Sequence, residues 1–293
     1  MQRNFLVGML VALVLLVAGV LAWLRQRRAG RALYHERLLD AVADGVITQE
    51  ELAELDALRR KHDLSSTEAR VAALVAYRRV LADALEDAEL TPDEDRTLER
   101  LQEQLGLDER ELRADRTQLC RARLLTRVVN GELPHAEIPG IQLVPGEQGH
   151  WFVRATFAER TGIERGARAL RALEFDVDAD VAFSPLGERD ALGPRAEILP
   201  SDVGVLAITS RRVVFQGARR TISLPHARLA LVALHADGVR LDEAPSNHAD
   251  PQAVCTARFF LVDDPELTAA VALYSARQRR VEIRPATRPP RTA

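Results

Sequence analysis

Three places along the 293-residue chain hold side chains whose type and spacing could do chemistry. The first is Asp40, Asp44, Gly45 and Glu51: with Asp40 opening a twelve-residue calcium loop, the other three fall at the fifth, sixth and twelfth positions, as such a loop requires. Its third position is Val42, which has no oxygen to offer. A second loop counted back from Glu94 puts Leu85 at that ligand position and Ala88 where the tight turn wants glycine. Calcium is therefore disfavoured at Asp40, Asp44 and Glu51, and a helix connector is expected. The second place is Arg211, Arg212, Arg219 and Arg220, which flank one predicted hairpin and could form a basic rim for lipid or other anions. A basic residue near an anionic leaflet is worth about 1 kcal/mol, while ordinary solvated turn arginines are the plainer reading. The third is Asp176, Asp178 and Asp180, which alternate as metal or acid–base groups on one strand face do, and as a wet sheet edge more often does.

No residue set announces a reaction. The seven histidines, at 35, 62, 135, 150, 226, 235 and 248, have no pair three or four apart, so no metal site is expected. There is no Gly-x-Ser-x-Gly, phosphate loop or dinucleotide fingerprint. Cys120 and Cys255 are too few for a thiolate metal site and read as small buried hydrophobes. No cofactor, catalytic residue or nucleic-acid partner is expected.

The elements that carry these residues differ along the chain. Residues 1–39 hold six Arg against one Glu, 40–116 hold eleven basic against twenty-one acidic residues, and the remainder is nearly balanced. From Phe5 to Leu24 run twenty residues without a charge, bounded by Arg3 and by Arg25, Arg27, Arg28 and Arg31. That length matches the ~30 Å hydrocarbon thickness of a bilayer, and Trp23 stands at the boundary. The expectation is a transmembrane anchor over 1–28 in a bacterial inner membrane, single-pass, with everything after it in the cytoplasm. A cleaved signal peptide ending near Val20 and Ala22 is the alternative.

Residues 31–73 slide onto 74–116 without a gap and match at twelve positions, among them Tyr34/Tyr77, Thr48/Thr91, Glu51/Glu94, Leu55/Leu98 and Glu68/Glu111. This is a tandem repeat. Thr48…Glu51, Ser65…Glu68, Thr91…Glu94 and Asp108…Glu111 each read as a helix start with a reciprocal cap. Leu52, Leu55, Leu58, Val71, Leu74, Leu81 and Leu85 are expected to supply buried faces of an all-helical domain over 30–130. The phrase Ala43-Asp44-Gly45-Val46-Ile47-Thr48-Gln49-Glu50-Glu51-Leu52 resembles the TerB-like, tellurite-resistance type of helical domain, which implies an interaction module and carries no catalytic residue with it.

After Pro134 short runs rich in Val, Ile, Phe and Thr are separated by turn signals, and a last run, Leu267–Arg280, has helical spacing. They predict a β-barrel closed by a C-terminal helix. Thr209-Ser210-Arg211-Arg212-Val213-Val214-Phe215, followed by Leu224-Pro225 and Asp237-Gly238, resembles the PH-like and GRAM-like domains of bacteria over residues 139–280. That resemblance implies binding of phosphoinositides, other anionic groups or peptides. An insertion at 160–200 departs from the pattern, and 281–293 is a basic Pro-rich tail, with Arg277–Ala293 as a whole read as a mobile contact.

The expected fold is thus α+β multidomain, and the expected function is a non-enzymatic, membrane-anchored adaptor that presents both domains to a protein partner. An anionic-lipid sensor built on the basic hairpin is the alternative, and an enzyme with its site in 160–200 the weaker one.

Overall fold

The computed structural model describes the backbone of residues 2–160, 170–192, 198–245 and 255–283, and their side chains except for 2–15, 160 and 281–283. The chain divides into two units, Met1–Cys120 and Arg121–Ala293.

Local capping builds the first unit. Thr48, Ser65 and Thr91 each accept from the backbone N–H three residues on, and Glu51, Glu68 and Glu94 accept in return from the cap N–H at 2.8–2.9 Å. These boxes satisfy N–H groups that a helix leaves unpaired at its start, and they open α2 (Gln49–Lys61), α3 (Ser66–Ala84) and α4 (Pro92–Gln104). Asp108 and Glu111 make the same exchange, but regular α5 (Arg113–Val129) begins only afterwards. Before them runs α1 (Gln2–Val42). Leu38, Leu55, Tyr77, Leu81, Leu98 and Leu101 are buried, whereas the expected core residues Leu52 and Val71 are exposed.

The repeat is visible in contacts as well as letters. Arg27 pairs with Glu68, and 43 positions later Arg70 pairs with Glu111. The structural unit therefore reaches back into α1 and relates α1, α3 and α5 as successive copies. Even a strained turn is shared: Gly45 has φ +78°, and its counterpart Ala88 is held at φ +60°.

The predicted membrane span is overturned. Phe5–Leu24 lies inside α1, which continues unbroken through five arginines to Val42. Among the described residues no helix is long and apolar enough to cross a membrane. The described apolar side chains, Leu16–Leu24, cover about 14 Å of helix against a hydrocarbon core of ~30 Å; those of residues 5–15 lie outside the described residues. The single-pass architecture and the inner-membrane location fall with it.

The second unit is an eight-stranded antiparallel sheet of β1 (Gly149–Arg160), β2 (Leu173–Asp176), β3 (Ile198–Thr209), β4 (Arg212–Gly217), β5 (Thr221–Pro225), β6 (Leu229–Leu234), β7 (Gly238–Glu243) and β8 (Thr256–Val262), in the order β2-β6-β7-β8-β1-β3-β4-β5. The sheet is open, which corrects the expected closed barrel. Its edges are the four-residue β2 and the five-residue β5, which ends at Pro225 and so lacks a donor there. In the core of this unit Phe157, Phe215 and Phe260 meet with ring centroids 5.5–5.9 Å apart. The helix α6 (Pro265–Ile283) buries Leu267, Ala270, Val271 and Leu273 in that core, and the last turns of α5 add Leu125 and Val128.

Candidate functional site

The four arginines of the predicted basic rim are separated by the length of β4. Arg211 and Arg212 sit at its first turn, Arg219 and Arg220 at its last, and six residues of strand put roughly 17–20 Å between the turns. Each turn is built around a buried carboxylate. At the first, Arg212 donates through Nε to Glu147 Oε1 at 2.9 Å and through Nη2 to Glu147 Oε2 at 3.2 Å. Thr209 Oγ1 donates to the same carboxylate at 2.6 Å, and Val144 N at 2.9 Å. The Glu147 side chain has no exposed surface. Burial raises its pKa, but Arg212, Thr209 and the Val144 N–H outweigh burial and hold the carboxyl below its usual range.

At the second turn Asp202 accepts from the backbone N–H groups of Ala218, Arg219 and Arg220 at 3.0–3.1 Å, as well as from Val203 N. Burial again opposes ionisation, and the four donors overcome it. Gly217 is required beside it, because a Cβ there would lie 2.2 Å from Asp202 Oδ2. Arg220 is ion-paired with Glu159 and stacks over Phe157 at 5.2 Å. Of the four, Arg212 and Arg220 are ion-paired within the unit, and Arg211, Arg219 and Arg220 are exposed.

His226 continues the first cluster. Its Nε2 lies 2.6 Å from the Thr209 carbonyl, and burial lowers its pKa to about 4 against the pull of that carbonyl. His150 is also buried, with Nδ1 2.8 Å from Pro134 O, and stacks on His135 at 6.1 Å.

The other predicted site residues are spent locally. Glu51 is occupied by the α2 cap, Asp44 Oδ1 accepts from Val46 N, and Asp40 lies in α1. Asp176 ends β2, and Asp178 and Asp180 lie in the loop after it, where Arg277 of α6 donates to the carbonyls of Asp176, Ala179 and Val181. Arg277 and Arg280 thus belong to the packed helix, while residues 284–293 of the tail lie outside the described residues. In the 160–200 insertion, 161–169 and 193–197 lie outside them as well. Its described middle is tied down by Arg189 to Glu266 and by Leu192 N to Asp237. Both cysteines are exposed, contrary to the expected buried pair.

Sequence reasoning missed a groove in the helical unit. It has a volume of about 460 Å³ and lies between α1 and α3, lined by Ala32, Tyr34, His35, Leu64, Val71 and Val75 among others, with Arg31 and Glu68 paired at its rim. Val71 is 59% exposed and Val75 43%. The copies differ at just this place. Between α3 and α5 the equivalent surface carries Arg78 and Asp115, joined at 2.9–3.1 Å, and Gln118; between α1 and α3 those positions are His35, Ala72 and Val75. One copy has closed the seam with a charged pair, and the other leaves it apolar and open. Comparing the two copies position by position for such exchanges would have found it.

Comparison of the chain with protein-family models, with curated proteins and with solved structures finds no match in any of the three.

Proposed function

We propose that the chain is a non-enzymatic interaction protein whose helical unit receives an apolar helical segment in the α1/α3 groove, with the sheet unit as its second module. The observation that carries this reading is the pair of exposed valines, Val71 and Val75, on a seam that the sister copy fills with Arg78 and Asp115. An apolar groove with a charged rim is the usual receptor for one face of an amphipathic helix. The resemblances to TerB-like and PH-like domains support the same class of function, since both imply binding modules; the fold by itself names no ligand. The headgroup reading has less support, because two of its four arginines neutralise Glu147 and Glu159 and the two pairs are a strand length apart.

The test is fluorescence anisotropy of a labelled amphipathic Leu/Lys helix titrated with the full chain. Saturable binding is expected, weakened at least tenfold by Val71→Asp or Val75→Asp and unchanged by Arg211→Glu. Equal binding by all four proteins would refute the reading.

A further inference from the structure

Beside the groove, α1 carries a second apolar surface. Leu16, Leu21 and Trp23 are 64%, 53% and 54% exposed, and Val17, Val20 and Leu24 are exposed with them. With Val71 and Val75 they leave on the order of 700 Å² of apolar side-chain surface in water, against the ~800 Å² per partner of a standard protein interface. Patches of that size on a lone chain mark an interaction site.

We infer that the occupant of the α1/α3 groove is the Leu16–Leu24 segment of a second copy of this chain. The inference rests on the groove being a docking site and names its partner. The two surfaces match in extent: Leu16–Leu24 and the groove wall Thr67–Val75 are each nine residues, about 14 Å of helix. Both lie on or beside α1, the groove beginning at Arg31, so the contact can be reciprocal. Two antiparallel α1 helices crossing near Arg27 set each segment against the other copy's groove, and such a two-fold arrangement closes without leaving a free surface to propagate. The charge at the crossing is partly offset within each copy: Arg27 and Arg31 share the Glu68 carboxylate, and Arg27 lies 5.3 Å from the Trp23 ring centroid.

The experiment is sedimentation equilibrium of the full chain, with cross-linking to fix the contact. Wild type is expected to be a dimer, and Val71→Asp and Val20→Asp, one in each half of the contact, are expected to be monomers with unchanged circular dichroism, since both side chains are exposed in the single chain. In a Cys120→Ser/Cys255→Ser background, mixing Val20→Cys chains with Val71→Cys chains under mild oxidation is expected to give a covalent dimer; the contact predicts far less from either alone. A wild-type monomer at all concentrations, a dimer that survives Val71→Asp, or a chain that leaves the dimer to float with phosphatidylcholine vesicles overturns the proposal. A monomer that still binds the labelled helix through Val71 defeats self-association alone and leaves the groove reading standing.

Discussion

Arg212→Ala is expected to destabilise the sheet unit, because Arg212 supplies the only cation that the described structure places on the buried Glu147 carboxylate. Removing one member of a buried pair costs about 3–5 kcal/mol, most of it the desolvation of the charge left behind. Two features bring the figure down here. Arg212 is 26% exposed, and Glu147 keeps its bonds from Thr209 Oγ1 and Val144 N. About 2–3 kcal/mol remains, equivalent to a fall of roughly 5–10 °C in the melting temperature of a unit this size. The dependence on pH separates this cause from lost packing. In the wild type the Glu147 pKa is depressed below its unfolded value, so its contribution is present above the ordinary carboxylate range near pH 4.3 and is lost as pH falls through the lower folded value. Without Arg212 burial prevails, the folded pKa rises, and the variant's deficit is greatest at neutral pH and shrinks as the carboxyl takes up a proton towards pH 4. Urea unfolding at pH 7.5 and pH 4.5 measures both arms, with Arg211→Ala as the control within about 0.5 kcal/mol of wild type. Adding Glu147→Gln to Arg212→Ala is expected to recover part of the loss. A deficit below 0.5 kcal/mol, or one equal at both pH values, would refute the assignment of Arg212 to the fold.

Two further outcomes test the repeat and the buried histidine. Ala88 sits at a positive φ where its counterpart is Gly45, so Ala88→Gly is expected to stabilise the helical unit by roughly 0.5–1 kcal/mol, the relief of left-handed strain less the added chain entropy. Gly45→Ala is expected to cost more than that, because its new Cβ would meet Thr97 Cγ2 at 2.5 Å; thermal unfolding of both variants gives the signs. His226, with a folded pKa of about 4 against an unfolded value near 6.5, contributes stability that is complete above pH 6.5 and declines as pH falls towards 4, by on the order of 3 kcal/mol. Stability against pH in His226→Gln, which retains a donor for the Thr209 carbonyl, is expected to be flatter over that interval, and an unchanged slope would assign the acid sensitivity elsewhere.

What could be read from the letters is what is decided within a few residues. The capping boxes join a residue to its third neighbour, so Thr48/Glu51, Ser65/Glu68 and Thr91/Glu94 fix helix starts with no knowledge of the rest of the chain. Hairpins are nearly as local, and β4 and β5 fall where the Thr-Ser-Arg-Arg and Pro signals put them. Long-range pairing is another matter. Glu147 and Arg212 are 65 positions apart, and nothing in the letters around Glu147 signals that it will be buried beneath an arginine assigned to solvent. Whether a sheet closes depends on its first and last strands finding each other, which strand-forming propensity does not encode.

Periodicity has a comparable limit, and the repeat offers a way around it. Spacing placed Val71 on an apolar face of α3, but spacing says only that a face exists, not whether anything covers it. A duplicated unit begins with the same neighbours in both copies, so a position that turns from charged to apolar in one copy has lost a solvent-facing role there or gained a different one. Arg78 and Asp115 against His35 and Ala72 is such a change, and it sits with Val71 and Val75 on the α1/α3 groove. If the change were mere drift, charging that seam would cost nothing. Restoring the sister copy's pair by His35→Arg with Ala72→Asp should then leave both peptide binding and association untouched, whereas a docking groove requires that both be lost while the helical unit keeps its stability.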